Sequence, residues 1–180
     1  MNKENVLKEI LSTSIYLLCV IGIAFLIIKF VGQRTEVIGD SMNNTLYNGD
    51  NLILNKISYR FHEPERYDIV VFPFRDGSKK NYIKRVIGLP GETIRLSSDG
   101  KIYINGEELT DDVYGLEVFE KAGNAASPIT LGDDEYFVMG DNRNNSEDSR
   151  FDVVGKVKRS EIIGKVWIRI FPFKSFGRVK

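Results

Sequence analysis

The chain has 180 residues, in which 25 Lys+Arg balance 25 Asp+Glu, with one His and one Cys. That length holds one domain of ordinary size and a small insertion, and zero net charge leaves no basic footprint for nucleic acid. One Cys excludes a disulfide framework, one Cys with one His excludes a Cys/His zinc site, and 42% hydrophobic residues exclude a disordered chain.

Ile10 to Ile28 is a run of 19 uncharged residues, ILSTSIYLLCVIGIAFLII. As a helix it rises about 28 Å, close to the roughly 30 Å of hydrocarbon in a bilayer. A cleaved secretory leader has an apolar run of about 7–15 residues ending at a small-x-small site. Here the run is longer and Lys29-Phe30-Val31 follows it. A retained single span over residues 10–31 is expected, preceded by a short segment, residues 1–9. Lys3 and Lys8 on one side are matched by Lys29 and Arg34 on the other, so the positive-inside rule gives little guidance on orientation. Cys19 lies in the span, and a Cys-free remainder fits an exterior or a cytoplasmic setting equally.

Beyond the span, strand signals dominate. Asn51–Lys56, Asp68–Phe72, Tyr82–Gly88, Thr93–Leu96, Lys101–Asn105, Glu135–Met139 and Lys165–Phe171 are short and rich in Val, Ile, Tyr and Phe. Asp99-Gly100 and Asn105-Gly106 mark turns between them. Ser160–Ile163 hints at a helical turn, and residues 107–134 carry little pattern. The expected fold is all-β: a core from 32–96 and 135–180, with a small inserted lobe at 97–134.

Three segments stand apart. In Gly39-Asp40-Ser41-Met42-Asn43-Asn44-Thr45-Leu46, a glycine frees the backbone to turn just before a serine, and Met42 and Leu46 suggest apolar anchoring. Alone, this is an ordinary turn serine. In Asn81–Glu92, Lys84 shares a strand face with Tyr82 and Val86, and Arg85 the other face with Ile83 and Ile87. Adjacent cations inside an apolar strand must be desolvated, paired or facing a cleft, unless their stems snorkel from an edge. Desolvation lowers a lysine pKa and leaves an amine able to accept a proton. In Gly140–Arg150, carboxylates and guanidiniums interleave, so the loop can brace itself. A calcium loop fails there, because Arg143 and Ser146 stand where a ligand and a glycine belong. No G-x-S-x-G elbow occurs, His62 sits in a charged loop, and Cys19 is in the bilayer. A nucleophilic Ser41 would therefore need Lys, Asp or Glu as its base, and a desolvated Lys84 is the best candidate.

Taken together and in this order, a span, G-D-S-M-x-x-T-L, Y-I-K-R-V-I-G-L-P-G-E and G-D-N-R-x-N-S-x-D-S-R resemble the type I signal peptidases. The single span and short length resemble their Gram-positive forms. The resemblance implies antiparallel β-sheets in the core and a membrane-bound serine endopeptidase that removes signal peptides from exported preproteins. It implies a cytoplasmic N-terminus and an extracytoplasmic catalytic domain. It makes Ser41 the nucleophile, with its backbone N–H on the oxyanion, Lys84 the general base, and Ser146 the residue that orients Lys84. Arg85, Asp141, Arg143, Asp148 and Arg150 become structural charge partners, with Asp141–Arg85 as one pair. No metal or cofactor is required.

Two positions depart from the family pattern. Asn44 replaces its usual proline, and Gly39 offers no hydroxyl for the oxyanion. By position and resemblance, Val37, Met42, Tyr82 and Ile83 are candidates to line shallow apolar pockets that admit small side chains. An extended substrate can add as a strand beside residues 81–84. Phe72-Pro73-Phe74 and Phe171-Pro172-Phe173 are either a lipid-touching rim or core aromatics at strand ends. Two other readings fit less well: a membrane-anchored β-domain that only binds a partner, and a self-cleaving Ser/Lys repressor. The first leaves the ordered motifs unexplained, and the second carries a DNA-binding half and no span.

Overall fold

A computed structural model describes residues 3–30, 32–75, 80–115 and 117–179. Helix α1 (Lys3–Phe30) contains the apolar run, and its stretch Lys8–Leu26 is exposed along its length, with a mean hydropathy of 2.1. It is long and apolar enough to cross a membrane. Val31, the last residue of the expected span, lies outside the described residues.

Twelve strands follow among the described residues. They are β1 (Gly32–Glu36), β2 (Asn51–Asn55), β3 (Ile69–Pro73), β4 (Asn81–Gly88), β5 (Thr93–Leu96), β6 (Ile102–Ile104) and β7 (Glu107–Glu108), then β8 (Ile129–Thr130), β9 (Glu135–Met139), β10 (Val157–Lys158), β11 (Gly164–Phe171) and β12 (Gly177–Arg178). The larger sheet runs β1-β2-β11-β3-β4-β9-β10, with β12 added on β11, and the smaller runs β7-β6-β5-β8. Every pairing in both sheets is antiparallel.

All seven strand segments read from the sequence are present. The others are short or polar. β1 reads Gly-Gln-Arg-Thr-Glu and is a strand because it forms an edge in register with β2, from Gly32↔Asn55 to Glu36↔Asn51. Thr93–Leu96 was expected in the core, but it pairs on both sides within the small sheet, against β6 and β8. Periodicity marks a strand without naming its partner, so that boundary was out of reach. The expected helical turn is a 3₁₀ turn at Arg159–Glu161. Asn105 (φ 52) and Gly106 (φ 89) close the β6–β7 hairpin with positive φ at both positions, the two-residue turn that Asn-Gly favours.

The core divides into three clusters, and β4 feeds all of them. Tyr82 and Val86 pack with Val70, Phe72 and Val138; Ile83 packs with Val37, Met42, Leu46 and Leu54; Ile87 packs with Ile94, Phe137 and Met139. Both faces of β4 are therefore covered, which explains an apolar run interrupted only by Lys84 and Arg85. The two Phe-Pro-Phe motifs part company. Phe72 is buried and Phe74 half-buried, whereas Phe171 is about half exposed and Phe173 is 81% exposed.

The β4 ladders are offset. β3 pairs with residues 81–85, and β9 begins only at Arg85. Residues 81–84 of the strand therefore lie outside the β9 ladder, and a cleft opens there.

Candidate active site

Ser41 sits in a turn wound between β1 and β2. Val37 N–H donates to Asp50 O (2.8 Å), Gly49 N–H to Val37 O (2.9 Å), and Gly39 N–H to the Asn48 side-chain Oδ1 (2.9 Å). Thr45 and Leu46 N–H both return to Met42 O, and the Met42 and Leu46 side chains are buried beneath. Gly39 has φ +91 and Asn44 has φ +85. Proline is locked near −65°, so it cannot occupy position 44 in this turn, while Asn tolerates the left-handed region. The departure from the family pattern at Asn44 thus has a local reason.

Lys84 Nζ lies 2.7 Å from Ser41 Oγ and donates to Ile83 O at 3.1 Å. The residue is 2% exposed. Burial lowers its pKa from 10.5 to about 8, opposed by Asp148, Glu147 and Asp141, which favour the ammonium. Among the described residues the Ser41 backbone N–H has no acceptor.

The charged loop is paired partly within itself and partly to β4 and the segment before β8. Arg85 Nε and Nη2 grip Asp141 at 2.9 and 2.7 Å, with both side chains fully buried. Thr45 Oγ1 donates to the same Asp141, tying the ion pair to the Ser41 turn. Arg150 binds Asp148 twice (2.8 and 2.9 Å) and the Arg143 carbonyl, and Asp148 also accepts Gly140 N–H. Arg143 Nε donates to Gly140 O. Asn142 N–H donates to Ser41 O (3.1 Å) and its Nδ2 to Asp40 O (3.0 Å), so this loop holds the Ser41 turn directly. A Cβ at Gly140 would fall 2.4 Å from Ser41 O and 2.3 Å from Ser146 Oγ, an approach that only glycine permits.

Ser146 lies in this cluster, but its hydrogen bond to Lys84 is not formed. Its buried Oγ has no partner among the described residues. A serine rotor is not fixed by sequence, and here Lys84 Nζ is directed to Ser41 and Ile83 instead.

An open cleft of about 1180 Å³ runs along β1 and the start of β4. Val37, Met42, Tyr82 and Ile83 all line it, with Ser41 and Ser146. Tyr82 is backed by Phe74, the rings stacked at 3.7 Å and 11°. His62 is exposed on a loop. Sequence reasoning missed Thr45, Asn142, Asp112 and Tyr114. Thr45 and Asn142 lie inside the motifs, whereas Asp112 and Tyr114 reach Arg143 and Arg85 from a segment without pattern.

Residues 9–171 match the family model described as signal peptidase, peptidase S26. The chain is 40% identical over 153 residues to a probable signal peptidase I-2 of Synechocystis sp., covering 82% of this chain and 67% of that protein. It is 34% identical over 187 residues to signal peptidase I S of Bacillus subtilis, covering 99% of each. A solved signal peptidase I from Enterococcus faecalis V583 shares 34% identity over 58% of this chain and 97% of that chain, with a TM-score of 0.46. Cyanobacterial and Bacillus relatives thus match at comparable identity, so the likeness is not confined to Gram-positive forms. The family match and the two signal peptidase relatives define a serine endopeptidase, and α1 is an apolar helix that fits a membrane anchor. The chain belongs to the signal peptidase family, peptidase S26.

The two adjacent cations of β4 have opposite consequences for stability. Arg85→Met leaves the Asp141 charge buried alone and is expected to cost about 3–5 kcal/mol in denaturant unfolding. Lys84→Met removes a desolvated amine and is expected to melt at or above the wild-type temperature at pH 7. With its folded pKa below the unfolded value, Lys84 makes wild-type stability rise with pH between about 8 and 10.5. Lys84→Met should lack that rise. Asn44→Pro is expected to lose more than about 1 kcal/mol, while Asn44→Gly stays near wild type in the same melts.

Proposed function

We propose that this protein cleaves N-terminal signal peptides from exported preproteins after small-x-small sites, using Ser41 as nucleophile and Lys84 as general base. The observation that carries the reading is the 2.7 Å approach of a buried amine to the Ser41 hydroxyl. Neutral Lys84 takes the Ser41 proton as Oγ attacks the scissile carbonyl carbon. The Ser41 N–H meets the developing oxyanion. The ammonium then gives its proton to the leaving amine, releasing the mature protein's new N-terminus. The same amine next takes a proton from water, whose oxygen attacks the acyl-enzyme, and Ser41 is regenerated. Ser146 is the hydroxyl available to hold Lys84 when it carries the extra proton. Arg85, Asp141, Arg143, Asp148 and Arg150 brace the centre.

The substrate lies extended in the cleft between β1 and the start of β4, adding as a strand, and Val37, Met42, Tyr82 and Ile83 shape its pockets. Residues 1–9 are cytoplasmic, 10–31 span the membrane, and 32–180 lie outside, with 97–134 as a peripheral lobe. Exposed Phe171 and Phe173 suit a lipid-facing rim.

Cleavage of a preprotein in detergent by wild type, Ser41→Ala and Lys84→Ala tests the dyad. Both variants are expected to fall to background, and activity surviving in both removes the mechanism. The base is the neutral amine, so kcat should rise through about pH 8 and fall about tenfold per unit below it. Tyr82→Ala is expected to admit larger residues at the cleavage site, read by profiling a peptide library. An unchanged profile removes Tyr82 from the pocket.

A further inference from the structure

We infer that residues 111–115, an irregular stretch of the small lobe, form a strap that positions the reacting pair from behind. The inference rests on the Ser41–Lys84 reading and extends it to a part of the chain with no motif. After β7 the chain crosses the guanidiniums that brace the site and touches them in succession. Asp111 Oδ1 accepts the Tyr67 hydroxyl at 2.6 Å. Asp112 Oδ2 pairs with Arg143 Nη2 at 2.5 Å, the two side chains 7% and 4% exposed, while its Oδ1 accepts Tyr114 N–H at 3.2 Å. The Tyr114 ring lies over the Arg85 guanidinium, 3.4 Å from ring centroid to Cζ, and leans on Tyr67 at 5.4 Å. At Gly115 a Cβ would stand 2.3 Å from Arg143 Cζ, so the strap approaches as closely as backbone can.

Each guanidinium it touches leads within two steps to the reacting pair. Arg85 neighbours Lys84 on β4 and holds Asp141, which accepts Thr45 of the Ser41 turn. Arg85 also donates to Tyr67 O at 2.8 Å, so Tyr67 and Tyr114 enclose it together. Arg143 holds Gly140 O, and Gly140 packs against the Ser41 carbonyl. A buried cation needs both a partner and cover from water. Asp112 partners Arg143, and Tyr114 covers Arg85 with its π-face. Without them, water reaches the charges beneath Lys84. The groups acting on that amine are Asp148, Glu147, Asp141 and Arg150. Wetting the cluster weakens the burial that keeps the amine neutral, so the pH needed for activity should rise.

The test uses full-length protein in detergent, with Tyr114→Ala, Asp112→Asn, Tyr114→Phe and Ser41→Ala compared in steady-state cleavage of one preprotein across pH. The first two variants are expected to lose at least about tenfold in kcat with KM within about twofold. Their rising limb should move to higher pH by half a unit or more. Tyr114→Phe, which keeps the ring, is expected to match wild type. Variants that fold and keep the wild-type kcat and pH limb overturn the strap. So do losses that only track the folded fraction by circular dichroism, and so does failure of both Tyr114→Ala and Asp112→Asn to fold, because each assigns residues 111–115 to stability alone. Residual cleavage by Ser41→Ala instead overturns the dyad, whatever the strap variants do.

Discussion

The burial of the Lys84 amine, which pulls its pKa down to about 8, is the constraint around which the rest of the site is arranged. Burial favours the neutral form, but Asp148, Glu147 and Asp141 lie close enough to favour the ammonium. Two of these carboxylates are already spoken for, Asp141 by Arg85 and Asp148 by Arg150, each through two hydrogen bonds. A carboxylate neutralised by a guanidinium acts less on a third group than a bare one. The interleaved acids and bases of Gly140–Arg150 therefore do two jobs. They give the loop rigid, bidentate fastening, and they limit how far its own charge restores the proton to Lys84.

The same economy explains the cleft. β4 continues past the end of its β9 ladder, and β1 is a polar edge strand paired on one side with β2. Exposed strand edges are usually short and polar, because they invite pairing with other chains. Here the cleft runs along β1 and the start of β4, where a main chain could be received. The helix that anchors the protein ends at Phe30 and β1 begins at Gly32, so the strand beside the cleft is separated from the anchor by a single residue. Ser41 then lies nine residues further on.

Much of this was legible in the sequence, for identifiable reasons. The apolar runs of α1 and β4 and the Asn105-Gly106 turn are local signals with local causes. Lys84 and Arg85 stood out because two cations inside an apolar strand must be desolvated or paired, whereas Ser41 stood out by its Gly-Asp turn and the Arg85–Asp141 pairing only through the family resemblance. β1 was invisible because Gly-Gln-Arg-Thr-Glu becomes a strand only through the register of β2. Asp112 and Tyr114 were invisible because a carboxylate and a ring in an irregular stretch reveal nothing until the fold sets them on Arg143 and Arg85. The Ser146 hydroxyl shows a further limit. Its place in the cluster was readable, but a rotor's partner was not.

The two departures from the family pattern also make sense together. Gly39 and Asn44 both take left-handed dihedrals, one on each side of Ser41. A proline there would stiffen the turn by restricting φ, at the cost of excluding that conformation. Instead, the turn is held by bonds from outside itself: Asn48 to Gly39, Asn142 to Asp40 and Ser41, and Arg169 to the Thr45 carbonyl. The absence of a hydroxyl at Gly39 belongs to the same solution. At φ +91 a side chain would be strained, and nothing lies within 4 Å of where its Cβ would stand to hold it in place. The turn therefore presents a Ser41 backbone N–H fixed by its neighbours, and its precision depends on the strands and loop that hold it.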